Sequence, residues 1–178
     1  MRAVVTGTPG TGKTSATERL DTDLDVVHLN DVIREADLYT ERDESRDSLV
    51  ADLGAIGEAY ADRDDVLVES HLAHHLDDVE RVIVLRCAPD VLEDRLRERG
   101  AEEGAALDAR EREATENAEA ESLDVILGEA VRKHGQERVY EIDTTDRTPE
   151  AVAAEIEAVL DGEREPSAGE VDFTEYLL

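Results

Sequence analysis

The chain carries one motif whose chemistry can be inferred from its residue types and spacing. Eight residues near its start follow the pattern G-x-x-x-x-G-K-[ST], namely Gly7-Thr8-Pro9-Gly10-Thr11-Gly12-Lys13-Thr14. Glycines let the backbone turn so that several N–H groups face one anion. Lys13 can reach the β- and γ-phosphates of a nucleoside triphosphate, and Thr14 can offer its hydroxyl to Mg²⁺. The residues expected to bind the nucleotide here are Gly7, Gly10, Thr11, Gly12, Lys13, Thr14 and Ser15.

A second candidate site follows the apolar run Val66-Leu67-Val68, which ends in Glu69. The motif above is called a P-loop, and the strand before it leads into it. A carboxylate at the end of a buried strand beside that strand can hold Mg²⁺ directly or through water. The competing interpretation of Glu69 is a structural ion pair. His71, two residues further on, could position an attacking water or order the acid, or it could serve only in packing.

These residues need a scaffold, and the apolar pattern predicts one. Strands are expected at 2–6, 25–29, 66–69, 81–86 and 138–142. Helical patterns separate them, which predicts an α/β P-loop NTPase fold with a doubly wound, five-stranded parallel sheet. Ligands bind such sheets at the carboxyl ends of the strands.

The connecting segments carry more specific expectations. A helix is expected over 30–38 and a polar loop over 39–47. Helical spacing covers Leu49, Val50, Leu53, Ile56 and Tyr60. The helix that begins at Pro89 is expected to stop at Arg99-Gly100. Residues 101–116 show no apolar stripe, and residues 163–178 are expected to form an acidic tail with a linker-like start.

The composition is strongly acidic, with 47 Asp and Glu against 19 Lys and Arg and a net charge of −28. Because 40% of the residues are hydrophobic and periodically placed, we expect folding rather than disorder. The charge is typical of proteins from a salt-rich cytoplasm, where self-repulsion is screened. It argues against strong direct nucleic-acid binding. We expect a cytoplasmic location, with no membrane contact, since neither a signal peptide nor an 18-residue apolar run is visible.

The scarcity of lysine supports the interpretation of residues 7–14 as a phosphate-binding loop. The chain has only Lys13 and Lys133, so its composition largely avoids lysine yet places one in the P-loop. The same scarcity excludes the Asn-Lys-x-Asp guanine-reading motif of Ras-like GTPases. The chain is also short for a motor or transporter ATPase, which leaves a small-molecule kinase as the main class.

The chain also resembles a known family, the atypical adenylate kinases of the isoenzyme-6 type found in archaea and eukaryotic nuclei. The resemblance extends to about residue 160 and is carried by six segments. They are Gly7–Ser15, Asn30–Tyr39 (NDVIREADLY), Glu69-Ser70-His71, Val84-Leu85-Arg86, Arg99-Gly100, and Asn117–Glu121 (NAEAE).

The resemblance implies a kinase domain over residues 1–162, with a monophosphate-binding segment over 30–53 and a lid at about 99–116. Arg34 would grip the monophosphate, because arginine suits bidentate phosphate binding. Arg99 would neutralise charge on the transferring phosphoryl group. The alternatives are a solvent-exposed arginine at position 34 and a helix-terminal arginine at position 99. Which of Arg110 and Arg112 closes on phosphate stays open.

The implied reaction is reversible phosphoryl transfer from ATP to a nucleoside monophosphate such as AMP, with ATP and Mg²⁺ as cofactors. The catalytic residues would be Lys13, Arg99 and His71, and the metal ligands Thr14 and Glu69. The family also implies an ATPase activity and a role in small ribosomal subunit maturation, with a ribosomal protein of the platform as partner. The alternatives are an assembly ATPase, a kinase of another metabolite and a nucleotide-binding module without catalysis. A zinc site from His71, His74 and His75 is a minor further option.

Overall fold

The fold is described from a computed structural model, which describes residues 1–43 and 48–177. Its strands are, in chain order, β1 (Arg2–Thr6), β2 (Asp25–His28), β3 (Tyr39–Asp43), β4 (Ser48–Ala51), β5 (Val66–Glu69), β6 (Arg81–Arg86) and β7 (Val139–Asp143). Its α-helices are α1 (Lys13–Thr17), α2 (Leu29–Glu35), α3 (Leu53–Tyr60), α4 (Pro89–Glu102), α5 (Leu107–Ser122), α6 (Val125–His134) and α7 (Pro149–Leu160). Short 3₁₀ turns lie at Ala73–His75, Gln136–Arg138 and Thr174–Leu177.

The central sheet is parallel and five-stranded, in the order β2-β5-β1-β6-β7, which confirms the predicted α/β fold. Strand β1 therefore lies in the middle, and the P-loop leaves its carboxyl end. In the sheet register Val5 lies opposite Glu69, and Glu69 lies opposite His28. The ends of three neighbouring strands thus converge beside the P-loop, as the topology of such sheets predicts.

Helices cover both faces of this sheet, which explains the continuous apolar runs of its strands. On one face, Val4, Val68 and Val82 pack with residues of α2, α3 and α6. On the other face, Val5 and Ile83 pack with residues of α1 and α7. In the described ranges 1–43 and 48–177, none of the helices has the length and apolar composition needed for a bilayer crossing.

The segment after α2 differs from the prediction. Part of the expected polar loop forms β3, and it pairs with β4 as an antiparallel hairpin; residues 44–47 lie outside the described residues. Leu49 and Val50 belong to β4, so their assignment to a helix was wrong. Leu49 and Ala51 pack on the core while Val50 is 41% exposed. This is the two-residue period of a strand, and over so few residues it was mistaken for helical spacing.

Helix α4 continues past Arg99-Gly100 to Glu102, so the predicted glycine stop was also wrong. Gly100 is instead a close-packing position, since a Cβ there would lie 2.7 Å from Cγ of Arg110 on α5. Helix α5 buries small residues, Ala114 and Ala118, against its neighbours. That face carries no large apolar side chains, which is why the sequence pattern did not reveal the helix.

Part of the stretch after α7 is fixed to the rest of the fold, around Ser167. Ser167 is buried, and its Oγ accepts a hydrogen bond from the N–H of Glu141 at 2.9 Å. The carboxylate of Glu141 in turn accepts backbone N–H bonds from Gly169 and Glu170. The ring of Phe173 lies 5.5 Å from the guanidinium carbon of Arg86. This stretch is therefore anchored by buried polar contacts.

Candidate active site

A cleft of about 930 Å³ opens at the carboxyl ends of the strands, around the P-loop. It brings together side chains from the carboxyl ends of the strands, from α2, from α4 and from the loop after β7. Its lining includes Pro9, Gly10, Thr11, Gly12, Lys13, Thr14, Ser15, Asn30, Arg34, Glu69, His71, Arg95, Arg99, Glu103, Glu113, Thr144, Arg147, Pro149 and Val152. Most of the predicted site residues therefore face one cavity.

The backbone of the P-loop explains why glycine is needed in it. Gly7 has φ +140°, and a Cβ there would lie 2.4 Å from the carbonyl oxygen of Leu85. Gly10 has φ +91°, and a Cβ would meet the side chains of Leu92 and Leu96 within 3.0 Å. Both a left-handed conformation and a close approach therefore exclude side chains at these positions.

Lys13 is 8% exposed and lies inside the curve of the loop. Its Nζ donates hydrogen bonds to the carbonyl oxygens of Gly7, at 2.8 Å, and Thr8, at 3.0 Å. The pKa of Lys13 is lowered to about 8, mainly by burial and in part by the nearby charge of Arg99, while Glu69 opposes the shift. A buried ammonium group held by neutral carbonyls is a strong candidate for binding an anionic phosphate.

Glu69 forms the centre of a small polar cluster at the end of β5. Its Oε2 accepts a hydrogen bond from Oγ1 of Thr14 at 3.2 Å and lies 2.9 Å from Nδ1 of His28. The side chain of Glu69 is only 6% exposed. A carboxylate and a hydroxyl side by side are the hard oxygen donors that Mg²⁺ prefers, so these residues fit such an ion.

His28 was not identified from the sequence, although it ends β2 directly opposite Glu69 in the sheet register. Its Nδ1 contacts the same Glu69 oxygen, Oε2, as Thr14 does, so both residues orient the carboxylate. The strand order could not be deduced from periodicity, and without it the proximity of residues 28 and 69 was not visible. The only available signal was a polar residue at a strand end, a common feature.

His71 lines the same cleft. Its pKa is lowered to about 4, mainly by burial and in part by the charge of Lys13. The imidazole is therefore neutral at pH 7 and has a lone pair available for a hydrogen bond from water. The neighbouring Ser70 donates its hydroxyl to Oδ1 of Asn30 at 3.0 Å, which ties the Glu69–His71 segment to α2.

The two predicted phosphate-binding arginines approach the P-loop from different elements. Arg34 is exposed in the last turn of α2, and Arg99 is 43% exposed in the last turn of α4. Arg99 Nη2 donates to Oε1 of Glu113 on α5 at 2.7 Å. Arg110 packs against Gly100, and neither it nor Arg112 contributes to the lining of the cleft.

Two further arginines of the cleft were missed. Arg95 donates to the carbonyl oxygens of Thr144, at 2.9 Å, and Thr145, at 3.1 Å, and Arg147 pairs with Glu155. Arg95 lies one helical turn before Arg99, so the i, i+4 spacing on the predicted helix was an available signal. Together they add positive charge to the part of the cleft beside the loop after β7.

Comparisons with known proteins show the family of this chain. A family model described as "AAA domain" matches residues 4–124. A protein of Natronomonas pharaonis is 63% identical over 99% of this chain and 100% of its own length, and one of Halobacterium salinarum is 59% identical over the same shares. One of Methanosarcina acetivorans is 42% identical over 88% of this chain and 84% of its own. All three are named "Putative adenylate kinase".

The chain belongs to this archaeal family of AAA-domain proteins. Among solved structures, a sulfotransferase from Alicyclobacillus acidocaldarius has a TM-score of 0.60 at 12% identity, covering 94% of this chain and 84% of its own. A protein described as a "putative kinase" from Chloroflexus aurantiacus has a TM-score of 0.50 at 17% identity, covering 87% of this chain and 95% of its own. At such identities these two show the fold alone.

Two segments that carry the family resemblance meet behind the P-loop. Arg86, the last residue of β6, donates from Nε to Oε1 of Glu121 on α5 at 2.7 Å. The other carboxylate oxygen of Glu121 accepts a hydrogen bond from Oγ1 of Thr8 at 2.5 Å. This buried link fixes the side of the P-loop that faces away from the cleft. The sequence marked both segments without assigning a contact between them.

The polar cluster around Glu69 gives a first prediction. We expect Glu69→Gln to raise the Mg²⁺ concentration needed for half-maximal activity by about 10- to 100-fold, the range known for residues that ligate or orient ligands. His28→Gln should shift the same curve in the same direction but less. The measurement is initial rate against Mg²⁺ at saturating nucleotide. An unchanged Mg²⁺ curve in Glu69→Gln would contradict the expectation that this residue binds Mg²⁺.

Proposed function

We propose that this protein is a nucleoside monophosphate kinase that transfers the terminal phosphate of ATP to AMP. The observation that carries the proposal is one cleft with a P-loop at its centre and an arginine on each side. Arg34 follows the edge strand β2, and Arg99 lies on the helix after β6, which is on the other side of β1. A triphosphate and a monophosphate can therefore be bound with their phosphates facing each other. The relatives' name agrees with this reaction.

The proposed chemistry is a direct in-line transfer. An oxygen of the AMP phosphate attacks the γ-phosphorus of ATP, the bond from that phosphorus to the bridging oxygen breaks, and two ADP molecules result. The P-loop N–H groups and Lys13 hold the β- and γ-phosphates, and Arg34 holds the acceptor. Arg99 neutralises the charge of the transferring group, after leaving Glu113. Mg²⁺, held by Thr14 and Glu69, would supply further neutralisation of phosphate charge.

The segment 30–53 and the α4–α5 hairpin from about residue 99 to 116 are proposed as the acceptor segment and the lid. In support, α2 supplies Arg34 and Asn30 to the cleft, and the hairpin supplies Arg99, Glu103 and Glu113. Closure of the hairpin would exclude water and favour transfer over hydrolysis.

A second activity, ATP hydrolysis, is favoured by one observation, the neutral imidazole of His71 in the same cleft. It could accept a hydrogen bond from a water that attacks the γ-phosphorus, giving ADP and phosphate. The net charge of −28 suits a basic protein partner, such as the ribosomal platform protein that the family resemblance implies. Stimulation of hydrolysis by that partner in the absence of AMP would support this second activity.

The acceptor dependence of ADP formation tests the kinase proposal. At high potassium chloride, AMP should raise ADP formation many-fold over ATP alone, with two ADP formed per AMP consumed. A panel of other nucleoside monophosphates and small metabolites should give lower kcat/KM. If AMP produces no increase, or if another acceptor is strongly preferred, the proposal fails.

Arg34 gives a second prediction. We expect Arg34→Ala to lower kcat/KM for AMP by about 10- to 100-fold, because hydrogen bonds to charged groups contribute about 1.5–3 kcal/mol. Its rate of ATP hydrolysis without AMP should be unchanged. Arg132→Ala, a change of an exposed arginine on α6 outside the cleft and the proposed lid, is the matched control and should leave both rates as they are. Equal losses in both variants would mean that Arg34 has no specific acceptor role.

A further inference from the structure

A second group of potential ligands lies behind the active cleft, on the 3₁₀ turn Ala73–His75 and on α6. His74 Nε2 is 2.9 Å from Oε2 of Glu129, and His75 Nε2 is 3.9 Å from the same oxygen. The ligand atoms of all three side chains lie within 4.8 Å of one another. The rings of His74 and His75 are 4.1 Å apart between centroids, so the two imidazoles lie side by side.

The spacing suits a transition metal. With metal–ligand bonds of about 2.0–2.2 Å in a tetrahedral arrangement, ligand atoms lie roughly 3.4 Å apart. The two distances to Glu129 fall on either side of this value, so small side-chain rotations would place all three atoms around one ion. Two imidazoles and one carboxylate form a donor set that Zn²⁺ uses in proteins, whereas Mg²⁺ prefers oxygen alone.

The surroundings hold these ligands in place. Nδ1 of the buried His74 is 2.9 Å from Oγ1 of Thr6, which leaves Nε2 as the nitrogen directed at the cluster. His134 Nε2 lies 2.7 Å from the carbonyl oxygen of His74, and Lys133 Nζ donates to that of His75 at 2.6 Å. Metal-bound histidines commonly have a hydrogen-bond partner on the ring nitrogen that does not bind the metal, and Thr6 is that partner for His74.

We propose that His74, His75 and Glu129 form a Zn²⁺-binding site, separate from the nucleotide cleft, that fastens the turn after β5 to α6. His75 and Glu129 are 31% and 39% exposed, so an ion can enter from solvent and the fourth ligand position faces water. This set of ligands differs from the zinc site of His71, His74 and His75 that the sequence suggested. His71 lies in the cleft rather than in this cluster. Thr6, which orients His74, directly precedes the P-loop residue Gly7.

The test uses the full-length, untagged protein, stripped with a chelator and dialysed into potassium chloride with excess Mg²⁺, which competes with Zn²⁺ for the Glu69 site. Calorimetric titration with Zn²⁺ should show one equivalent bound, and the thermal midpoint should rise with Zn²⁺ concentration. Titration with Co²⁺ should give the visible absorption of a four-coordinate site with nitrogen and oxygen ligands.

Variants decide whether these three residues are the ligands. His75→Ala and Glu129→Ala should each lower the Zn²⁺ affinity by more than about tenfold, which is the loss typical even of outer-sphere partners. Thr6→Val should lower it by about tenfold through loss of His74 orientation. Asp77→Asn, a change of a nearby carboxylate outside the cluster, is the control and should bind like wild type. If the wild type binds no stoichiometric Zn²⁺, or if the Asp77→Asn and Glu129→Ala affinities match, the proposal is wrong.

The proposed Zn²⁺ site and the proposed kinase activity can fail separately. Zn²⁺ binding and the thermal shift are measured without nucleotide, so they stand whether or not AMP is the acceptor. Conversely, kinase activity in His75→Ala would leave the proposed function intact, since this side chain does not line the cleft.

Discussion

Replacing Lys13 with methionine should lower the rate of ADP formation by about 10³-fold, at the upper end of what one phosphoryl-oxygen contact contributes. Methionine keeps the length and burial of the side chain and removes only its charge and donors. The ammonium group reaches the centre of the P-loop through its bonds to Gly7 and Thr8. Steady-state kinetics at saturating ATP and AMP, together with ATP binding by calorimetry, would measure the loss.

Lys133 provides an unusually clean control, because it is the only other lysine of the chain. It is 33% exposed, pairs with Asp77 and does not line the cleft. Lys133→Met should therefore retain wild-type kinetics. If both variants keep full activity, the P-loop assignment of Lys13 is wrong.

The pKa of Lys13 adds a pH dependence with a defined sign. Because burial lowers this pKa to about 8, the free enzyme loses the positive charge as pH rises past 8. We expect kcat/KM for ATP to fall above about pH 8, while kcat holds to higher pH since bound phosphates favour the protonated form.

The same lowered pKa of Lys13 changes the stability of the fold with pH in the opposite direction. The unfolded chain binds more protons at this site between about pH 8 and its ordinary pKa of 10.5, so stability rises with pH across that window.

Lys13 therefore favours nucleotide binding but lowers the free energy of unfolding near neutral pH. The Lys13→Met variant should melt no lower than wild type at pH 7, although its rate of ADP formation should be far lower. A large fall in its melting temperature would mean that the ammonium group holds the loop together in the absence of nucleotide, contrary to this interpretation.

The sequence was sufficient for those parts of the site that lie on contiguous segments. The P-loop, Glu69 and the strands that carry them are specified by local pattern, since glycines at fixed spacing and continuous apolar runs have few other uses. The helix with Arg99 was found too, although its end was misplaced. Its glycine serves contact with Arg110 rather than chain termination.

The parts that sequence did not reveal depend on contacts between distant segments. His28 meets Glu69 only because β2 pairs with β5, and Thr8 meets Glu121 across 113 residues. The hairpin β3–β4 was missed because each strand has four or five residues, too few for its period to stand out from a helical one. Long-range pairing and short elements are where local pattern carries the least information.

The buried arginine behind the P-loop gives the largest expected effect on stability. Arg86 is 1% exposed and binds three carboxylates, with Nε on Glu121 at 2.7 Å, Nη2 on Asp124 at 2.5 Å and Nη1 on Glu141 at 2.5 Å. The side chains of Glu121 and Glu141 are 4% and 0% exposed. Arg86→Leu would fill most of the same space and leave two buried carboxylates without a cation.

We expect this variant to lose about 3–5 kcal/mol of unfolding free energy, the usual cost of removing one partner of a buried ion pair. Chemical denaturation at fixed high potassium chloride would measure it. The loss should shrink as pH is lowered, because protonation removes the charge of the stranded carboxylates. If Arg86→Leu is too unstable to purify, Arg86→Lys retains the charge with fewer donors and should show an intermediate loss.

Arg97 is the matched control, since it also pairs with three carboxylates, those of Glu93, Asp94 and Glu111. It lies at the surface of α4, where water and salt screen the same kind of contact, so Arg97→Leu should change stability little. The comparison separates burial from the number of partners. Equal losses of unfolding free energy in the two variants would show that the number of ion pairs decides the effect. Burial of the network would then add nothing to the stability. A large loss in Arg86→Leu alone would explain why a chain with so many surface acids still places this arginine in its interior.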